Sequence, residues 1–333
     1  MNAPTDANRP GVRGSTNPPN RLASVGKNRD VTSIRRAIPA RIPALVALVA
    51  ATAVWGSTFV VTKGSLQDLA PAAFLVWRFG IAAVILMAAR PARVRALSRL
   101  DAGRGLCLGL LLGSGFLLQT TGLSTTDAGL SGFLTGTSVI LTPVLAAAFF
   151  GASVGSAGWL AVGLGSAGLV LLTRGDGTAL SLGAVLTLGG AACFAGHITG
   201  LSAWATPANA YGLTAWSVTV AAALCTAVAV VGRQAALPAT GATWRSLVYL
   251  ALVATCLGLG VQAWAQSALT ATTAAVVMTM EPVFAAVFAA TLGAETLTPA
   301  SWLGGLLVVS SMFVAELGPR HCCDAVAPRV ECC

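Results

Sequence analysis

The feature that most constrains this chain is a run of residues with no charge. From Ile42 to Thr62 there are 21 residues without Lys, Arg, Asp or Glu. At about 1.5 Å of rise per residue, a helix of that length crosses about 30 Å of hydrocarbon. The pattern recurs. Charge-poor apolar stretches fall at approximately 42–62, 71–89, 105–123, 128–150, 155–173, 181–203, 209–232, 245–267, 273–292 and 300–317. Inside a bilayer every backbone polar group must be bonded within the protein, so each stretch is expected to be a helix. Gly and Pro within them do not argue against this, because membrane helices tolerate both. Composition enters here as a check. Only 9% of the 333 residues are charged, against about 25% in a soluble domain. That excludes a soluble enzyme and a nucleic-acid-binding domain, despite a net charge of +9.

The placement of the charges says more than their number. Eight of the 20 basic residues lie in the first 41 positions, among Asn, Pro, Gly and Ser. Residues 1–41 are therefore expected to be a disordered basic tail, with too long a charged region for a cleavable signal peptide. With the N-terminus in the cytoplasm, 15 basic residues fall on the cytoplasmic side, including Arg90, Arg93, Arg95, Arg99 and Arg104. Four fall outside: Lys63, Arg174, Arg233 and Arg245. The positive-inside rule favours that orientation. Ten spans then put both termini in the cytoplasm of a cell-membrane protein, with residues 318–333 as a short Cys-containing tail.

The chain also repeats itself. Gly115-Phe-Leu-Leu-Gln119 in span three is echoed by Gly258-Leu-Gly-Val-Gln262 in span eight, at an offset of 143. Pro143-Val-Leu-Ala-Ala-Ala-Phe149 matches Pro282-Val-Phe-Ala-Ala-Val-Phe288 at five of seven positions, at an offset of 139. The register slips by about one helical turn between these anchors. Five spans per copy is an odd number, so the second copy must enter the membrane from the opposite side. The expected fold is an all-α integral membrane protein of two inverted five-helix repeats, 42–173 and 181–317. Many transporters have this architecture, with the substrate site near the midplane.

The motifs make a resemblance specific. They include Trp55-Gly-Ser-Thr-Phe59, Pro71-Ala-Ala-Phe-Leu-Val-Trp-Arg-Phe79, Gln119-Thr-Thr-Gly-Leu-Ser-Thr-Thr-Asp-Ala-Gly129, Thr142-Pro143, Glu281-Pro-Val-Phe-Ala285 and Leu292-Gly-Ala-Glu295. In order and spacing the chain resembles the EamA family of the drug/metabolite transporter superfamily over residues 42–317. The resemblance implies a ten-helix, exporter-like carrier for amino acids, related metabolites or drugs. It also implies Glu and a basic residue after span four and a basic connection after span six. Here Gly151-Ala-Ser-Val-Gly155 and Trp204-Ala-Thr-Pro-Ala-Asn209 are uncharged.

Three ionisable groups fall well within spans: Arg78, His197 and Glu281. Such groups are costly in hydrocarbon and mark function by default. Glu281, about nine residues into span nine, reads either as a coupling or substrate-binding carboxylate or as a structural acid bonded to Arg78 or a neighbouring helix. Arg78 reads as that partner or as a helix lock. His197 aligns with Thr58 at an offset of 139, and reads either as a proton switch or as a packing histidine. Gln119 and Gln262 offer a donor and an acceptor each, to a solute or to a neighbouring helix. Trp55 suits a cationic or aromatic ligand or a lipid-facing anchor. Gly105, Gly109 and Gly113 form a small-residue stripe suited to close helix packing.

No cofactor or metal site is expected, and no nucleotide-binding motif suggests direct use of ATP. The expected partners are a small-molecule solute, protons if transport is coupled, and membrane lipid, with no nucleic acid. The expected function is a secondary carrier that exports small metabolites by alternating access. A membrane-embedded enzyme on lipid-borne substrates and a non-transporting scaffold are the alternatives.

Overall fold

The computed structural model describes residues 27–150, 156–174, 181–206, 208–268, 277–293, 295 and 298–317. The chain divides into a short N-terminal unit, Met1–Ile42, and one compact unit, Pro43–Cys333, which carries the helical bundle. Among the described residues, all regular structure is helical. Helix α1 is Lys27–Ser65, so it takes in residues 27–41 of the basic segment as well as the first span. Then come α2 (Pro71–Ala89), α3 (Pro91–Arg95), α4 (Arg99–Leu123), α5 (Ala128–Phe150) and α6 (Ser156–Arg174). After residue 180 come α7 (Leu182–Trp204), α8 (Ala210–Val231) and α9 (Gly241–Tyr249), which runs into a π-helical segment, Leu250–Leu257. The chain continues through α10 (Gly258–Ala268), α11 (Glu281–Thr291) and α12 (Pro299–Leu317). Among the described residues, six helical stretches are long and apolar enough to cross a membrane, and shorter apolar helices include Glu281–Thr291 and Pro299–Val314.

Local chemistry sets the breaks between helices. Pro71 begins α2, where its missing N–H costs nothing. Pro91 ends α2, because the residue before a proline disfavours helical backbone. Ser98 caps α4 by accepting the Asp101 backbone N–H at 3.0 Å, while its hydroxyl donates to Asp101 Oδ2 at 2.9 Å. Ser181 and Thr240 cap α7 and α9 in the same way, through the N–H groups of Ala184 and Thr243.

Packing joins helices from before residue 175 to helices from after residue 180. The main pairs are α2 with α8, α4 with α7 and α8, α5 with α7 and α11, and α6 with α12. Glycine makes the α4 contacts close. Positions 105, 109 and 113 lie against Trp216, Ser217 with Val220, and Ala221 of α8, so the small-residue stripe faces that helix as expected. On its other side, α4 meets α7 backbone to backbone. A Cβ on Gly122 would strike the Gly183 carbonyl, and one on Gly183 would strike that of Gly122. The core between these helices includes Phe74, Leu75, Phe79, Leu112, Ala221 and Leu250. Large apolar residues such as Val84, Trp159, Leu182, Val231 and Leu306 face outward, as a surface against lipid requires.

A polar clamp crosses the bundle at the α1–α2 turn. Asp68 Oδ2 accepts the backbone N–H groups of Ala239 and Thr240, at 3.1 and 3.2 Å. The Thr243 hydroxyl, together with these N–H groups, holds its carboxyl below the ordinary aspartate range. A depressed pKa contributes stability that is present above the unfolded value and lost as pH falls through the folded one. The start of α9 should therefore loosen only in acid, below about pH 4. Amide exchange at Thr240–Thr243 reads this, and Asp68→Asn should show the same loosening at neutral pH. Separately, Gly109→Leu should overpack the α4–α8 crossing and cost about 1–3 kcal/mol, seen as a lower Tm in detergent.

Candidate functional site

The site is best built from the π-helical segment outward. A π turn carries one residue more than an α turn, which shifts carbonyls out of the ordinary ladder and often marks a functional position. Here Thr255 donates its hydroxyl proton to the Leu250 carbonyl, five residues back, at 2.9 Å. The Ala254 carbonyl instead accepts the indole N–H of Trp55 on α1, at 2.9 Å. Gly258 follows, and a Cβ there would collide with that indole nitrogen. The next residue along, Thr255, also accepts Arg78 Nε at 3.3 Å. Trp55 and Arg78 are thus brought to consecutive residues of one irregular turn.

Arg78 is buried, at 5% exposure. Its guanidinium carbon lies 4.6 Å from the Phe116 ring centroid and 5.6 Å from that of Phe79. Phe79, Phe116 and Phe194 form a chain of edge-to-face pairs, each 5.0 Å between centroids. The quadrupole of the ring faces stabilises the cation where water is absent. Among the described residues, Arg78 and Glu281 form no ion pair, so the partnership considered from sequence is replaced by this aromatic and hydroxyl environment.

His197 lies on α7, three residues beyond Phe194. Its Nδ1 is 3.0 Å from the Leu108 carbonyl of α4. A carbonyl only accepts, so Nδ1 carries the proton and Nε2 of a neutral ring keeps its lone pair. Trp55 makes a bond of the same kind in the opposite direction. In each copy, a ring N–H on the first helix reaches a backbone carbonyl on the third span of the other copy. The two acceptors are 146 apart and so are not repeat equivalents; Gly115 lies against the Phe194 ring and Gly258 against that of Trp55, which relates Trp55 to Phe194 at the offset of 139 that pairs Thr58 with His197. Thr58 turns onto its own helix, donating to the Trp55 carbonyl at 2.7 Å.

The two glutamines repeat more closely still. Gln119 Nε2 donates to Thr135 Oγ1 at 2.8 Å, and Gln262 Nε2 approaches Met278 Sδ at 3.6 Å. Both pairs span 16 residues, and both members shift by 143. The acceptors differ in strength: a hydroxyl oxygen holds the first amide firmly, while a thioether holds the second weakly.

Glu281 opens α11, directly after a turn at Thr279–Met280. Pro282 lacks an N–H and so cannot bond the carbonyl four residues back. Close packing fixes the position. Pro282 lies over Gly136 of α5, Ala285 over Gly132, and Gly56 of α1 against Phe284. Glu281 is thus one residue from the contact at Gly136, beside Thr135, the partner of Gln119. Its side chain is half-buried, and among the described residues its carboxylate makes no hydrogen bond or ion pair. Cavities open elsewhere, by Val76, Trp77 and Leu237 and by Leu106, Cys107 and Leu110, on the flanks of α2 and α4.

Sequence reading missed Thr135, Phe194, Thr255 and Tyr249, whose hydroxyl is 2.7 Å from Ser57 Oγ. Extending the offset of 143 from Gln119 to Thr135 would have found one of them. The offset of 139 from Trp55 would have found Phe194, while Thr255 and Tyr249 fall opposite leucines at the offset of 143.

Paired helices, matched glutamines and matched glycine-to-ring contacts at Gly115 and Gly258 describe a multi-pass membrane protein with duplicated halves. The chain belongs to the EamA-like transporter family, whose model matches it twice, over residues 42–174 and 181–316. An uncharacterized transporter of Archaeoglobus fulgidus is 28% identical over 274 residues, covering 82% of this chain and 84% of that protein. A crystal structure with 20% identity shares the fold at a TM-score of 0.58, over 83% of this chain and 97% of the other.

The two glutamines should separate in experiment. Gln119→Leu removes an interhelical bond of about 0.6–1.7 kcal/mol and should lower Tm. Gln262→Leu should leave Tm nearly unchanged, since a sulfur acceptor contributes little. Thermal unfolding of both variants in the same detergent checks this.

Proposed function

We propose that the chain is a secondary carrier of ten membrane-spanning helices, arranged as inverted halves over 42–173 and 181–317, with both termini in the cytoplasm. It exports a small polar or amphipathic metabolite, such as an amino acid or a drug, across the cytoplasmic membrane by alternating access. The observation that carries this reading is the equivalence of Gln119–Thr135 and Gln262–Met278, in a family of transporters. Two matched half-sites give a structure open to one side a near-equivalent partner open to the other.

Contacts at the helix ends support the topology. The proposed spans put Lys63, Asp68, Asp127, Thr240 and Glu295 on one face, and these residues do contact one another in two groups. They put Leu86, Arg90, Ala102, Arg104, Trp204, Tyr211 and Trp216 on the other. There Tyr211 donates to the Leu86 carbonyl at 2.6 Å and Trp216 to that of Ala102 at 3.1 Å. Arg90 lies over Tyr211 and Arg104 over Trp204. The excess of basic residues assigns this second face to the cytoplasm.

In this reading the solute binds where α1, α4, α5, α10 and α11 meet. Gln262 is the freer amide for a polar group, Gln119 is its firmer counterpart, and Trp55 supplies an aromatic wall. Glu281, half-buried and without a protein partner among the described residues, takes a proton or a solute ammonium, and His197 is the second proton-linked candidate. Proton exchange or the solute's own gradient supplies the energy.

Proteoliposomes loaded with candidate amino acids and drugs test the proposal. Efflux should exceed that from protein-free liposomes for at least one solute and respond to a pH gradient. If no solute moves faster, the carrier reading is lost. Glu281→Gln should abolish proton-driven flux yet keep solute counterflow, whereas full proton-driven flux in the variant removes Glu281 from coupling.

A further inference from the structure

Glu295, between α11 and α12, does two things at once. Its Oε1 accepts the backbone N–H of Ala128 at 2.7 Å and its Oε2 that of Gly129 at 3.0 Å. These are free donors at the start of α5, where the helix dipole favours a negative charge. The same Oε1 pairs with Lys63 Nζ at 3.3 Å, and Lys63 also pairs with Asp127 Oδ1 at 3.0 Å. Lys63 ends α1, and Asp127 precedes α5. A carboxylate of the second copy therefore ties together two helix ends of the first. The Glu295 side chain is only 13% exposed and that of Lys63 32%, so solvent screens their pairing less than it would a fully exposed pair.

The repeat allows a comparison with the opposite face. At the offsets of 139 and 143 that relate Trp55 to Phe194 and Gln119 to Gln262, Lys63 corresponds to Ser202 and Asp127 to Thr270. Leu292-Gly-Ala-Glu295 aligns with Phe150-Gly-Ala-Ser153, which places Ser153 opposite Glu295. None of the three counterparts carries a charge. The other face has charges, but Asp101 pairs with Arg104 inside α4 at 3.1 Å. There Arg104 reaches across to Trp204 of α7 only as a cation over a ring, at 6.0 Å.

The geometry points to a one-sided electrostatic latch. Lys63, Asp127 and Glu295 hold the carrier closed on their own face at rest, and among the described residues no ionic counterpart ties the two halves together on the other face. The inference rests on the carrier reading above. In the orientation proposed there, the latch closes the outer face, and the resting binding site is offered to the cytoplasm. Lys63, Asp127 and Glu295 are positioning residues, acting on access to the site rather than on the solute.

Hydrogen–deuterium exchange of the full chain in lipid nanodiscs tests the latch without a known solute. In Lys63→Gln, amides of Ala128–Ser131 should exchange about twofold to fivefold faster than in wild type, the range an ion pair of this exposure supports. Amides of Gly200–Trp204 on the opposite face should slow, because opening one end of an alternating carrier closes the other. Lys63→Arg, which keeps the charge, should match wild type. Glu295→Gln keeps an acceptor for one backbone N–H and removes the charge, so it stands in for Lys63→Gln if that variant does not fold. Unchanged exchange at Ala128–Ser131 overturns the latch. Faster exchange there with no slowing at Gly200–Trp204 also overturns it, since that is local fraying. These outcomes differ from loss of the carrier reading, which appears as absence of wild-type solute flux.

Discussion

In hydrocarbon, no water stands ready to bond a carbonyl that a helix has released. The bundle depends on answering that demand wherever its helices are irregular. The π turn at Leu250–Leu257 is supplied by Trp55 from α1 and closed by the Thr255 hydroxyl. The regular carbonyl of Leu108 accepts an additional hydrogen bond from His197. The start of α5 is met by Glu295 rather than by a residue of its own loop. Apart from the Thr255 hydroxyl, which serves its own helix, each of these donors or acceptors comes from the other half of the chain. The halves are therefore held together by completing one another's backbones as much as by apolar packing.

Close approach makes those bonds reachable. Glycine pairs at the α4–α7 crossing let two backbones meet, and Gly132 and Gly136 admit α11 to α5. A larger residue at these positions would push the ring nitrogen of His197 or the start of α11 out of range. The abundance of glycine in the sequence thus has a positional meaning: several of these residues stand where a donor on one helix must reach an acceptor on the next.

Much of this was legible in the sequence. Uncharged runs of membrane-crossing length marked the helices, and the spacing of Gly115 and Gln119, repeated at Gly258 and Gln262, marked the duplication. The stripe of Gly105, Gly109 and Gly113 faces a neighbouring helix as read. Other features were hidden for physical reasons. A π turn is defined by which carbonyl bonds which N–H, and no residue type announces it. Arg78 looked for a carboxylate because charge pairing is the simplest expectation, yet it rests on rings and a hydroxyl. Apolar residues such as Phe116 and Phe194 carry no sign that they will serve a cation.

That last arrangement bears on how the molecule can move. Arg78 belongs to α2, Phe116 to α4 and Phe194 to α7, so the stack crosses from the first half to the second. An ion pair in the same place would lose much of its energy over a small displacement, because bonds to a carboxylate are directional. A cation on a ring face and rings meeting edge to face keep most of their attraction while they slide. The stack works as a bearing: it carries a buried charge across the joint between halves and still lets the joint turn.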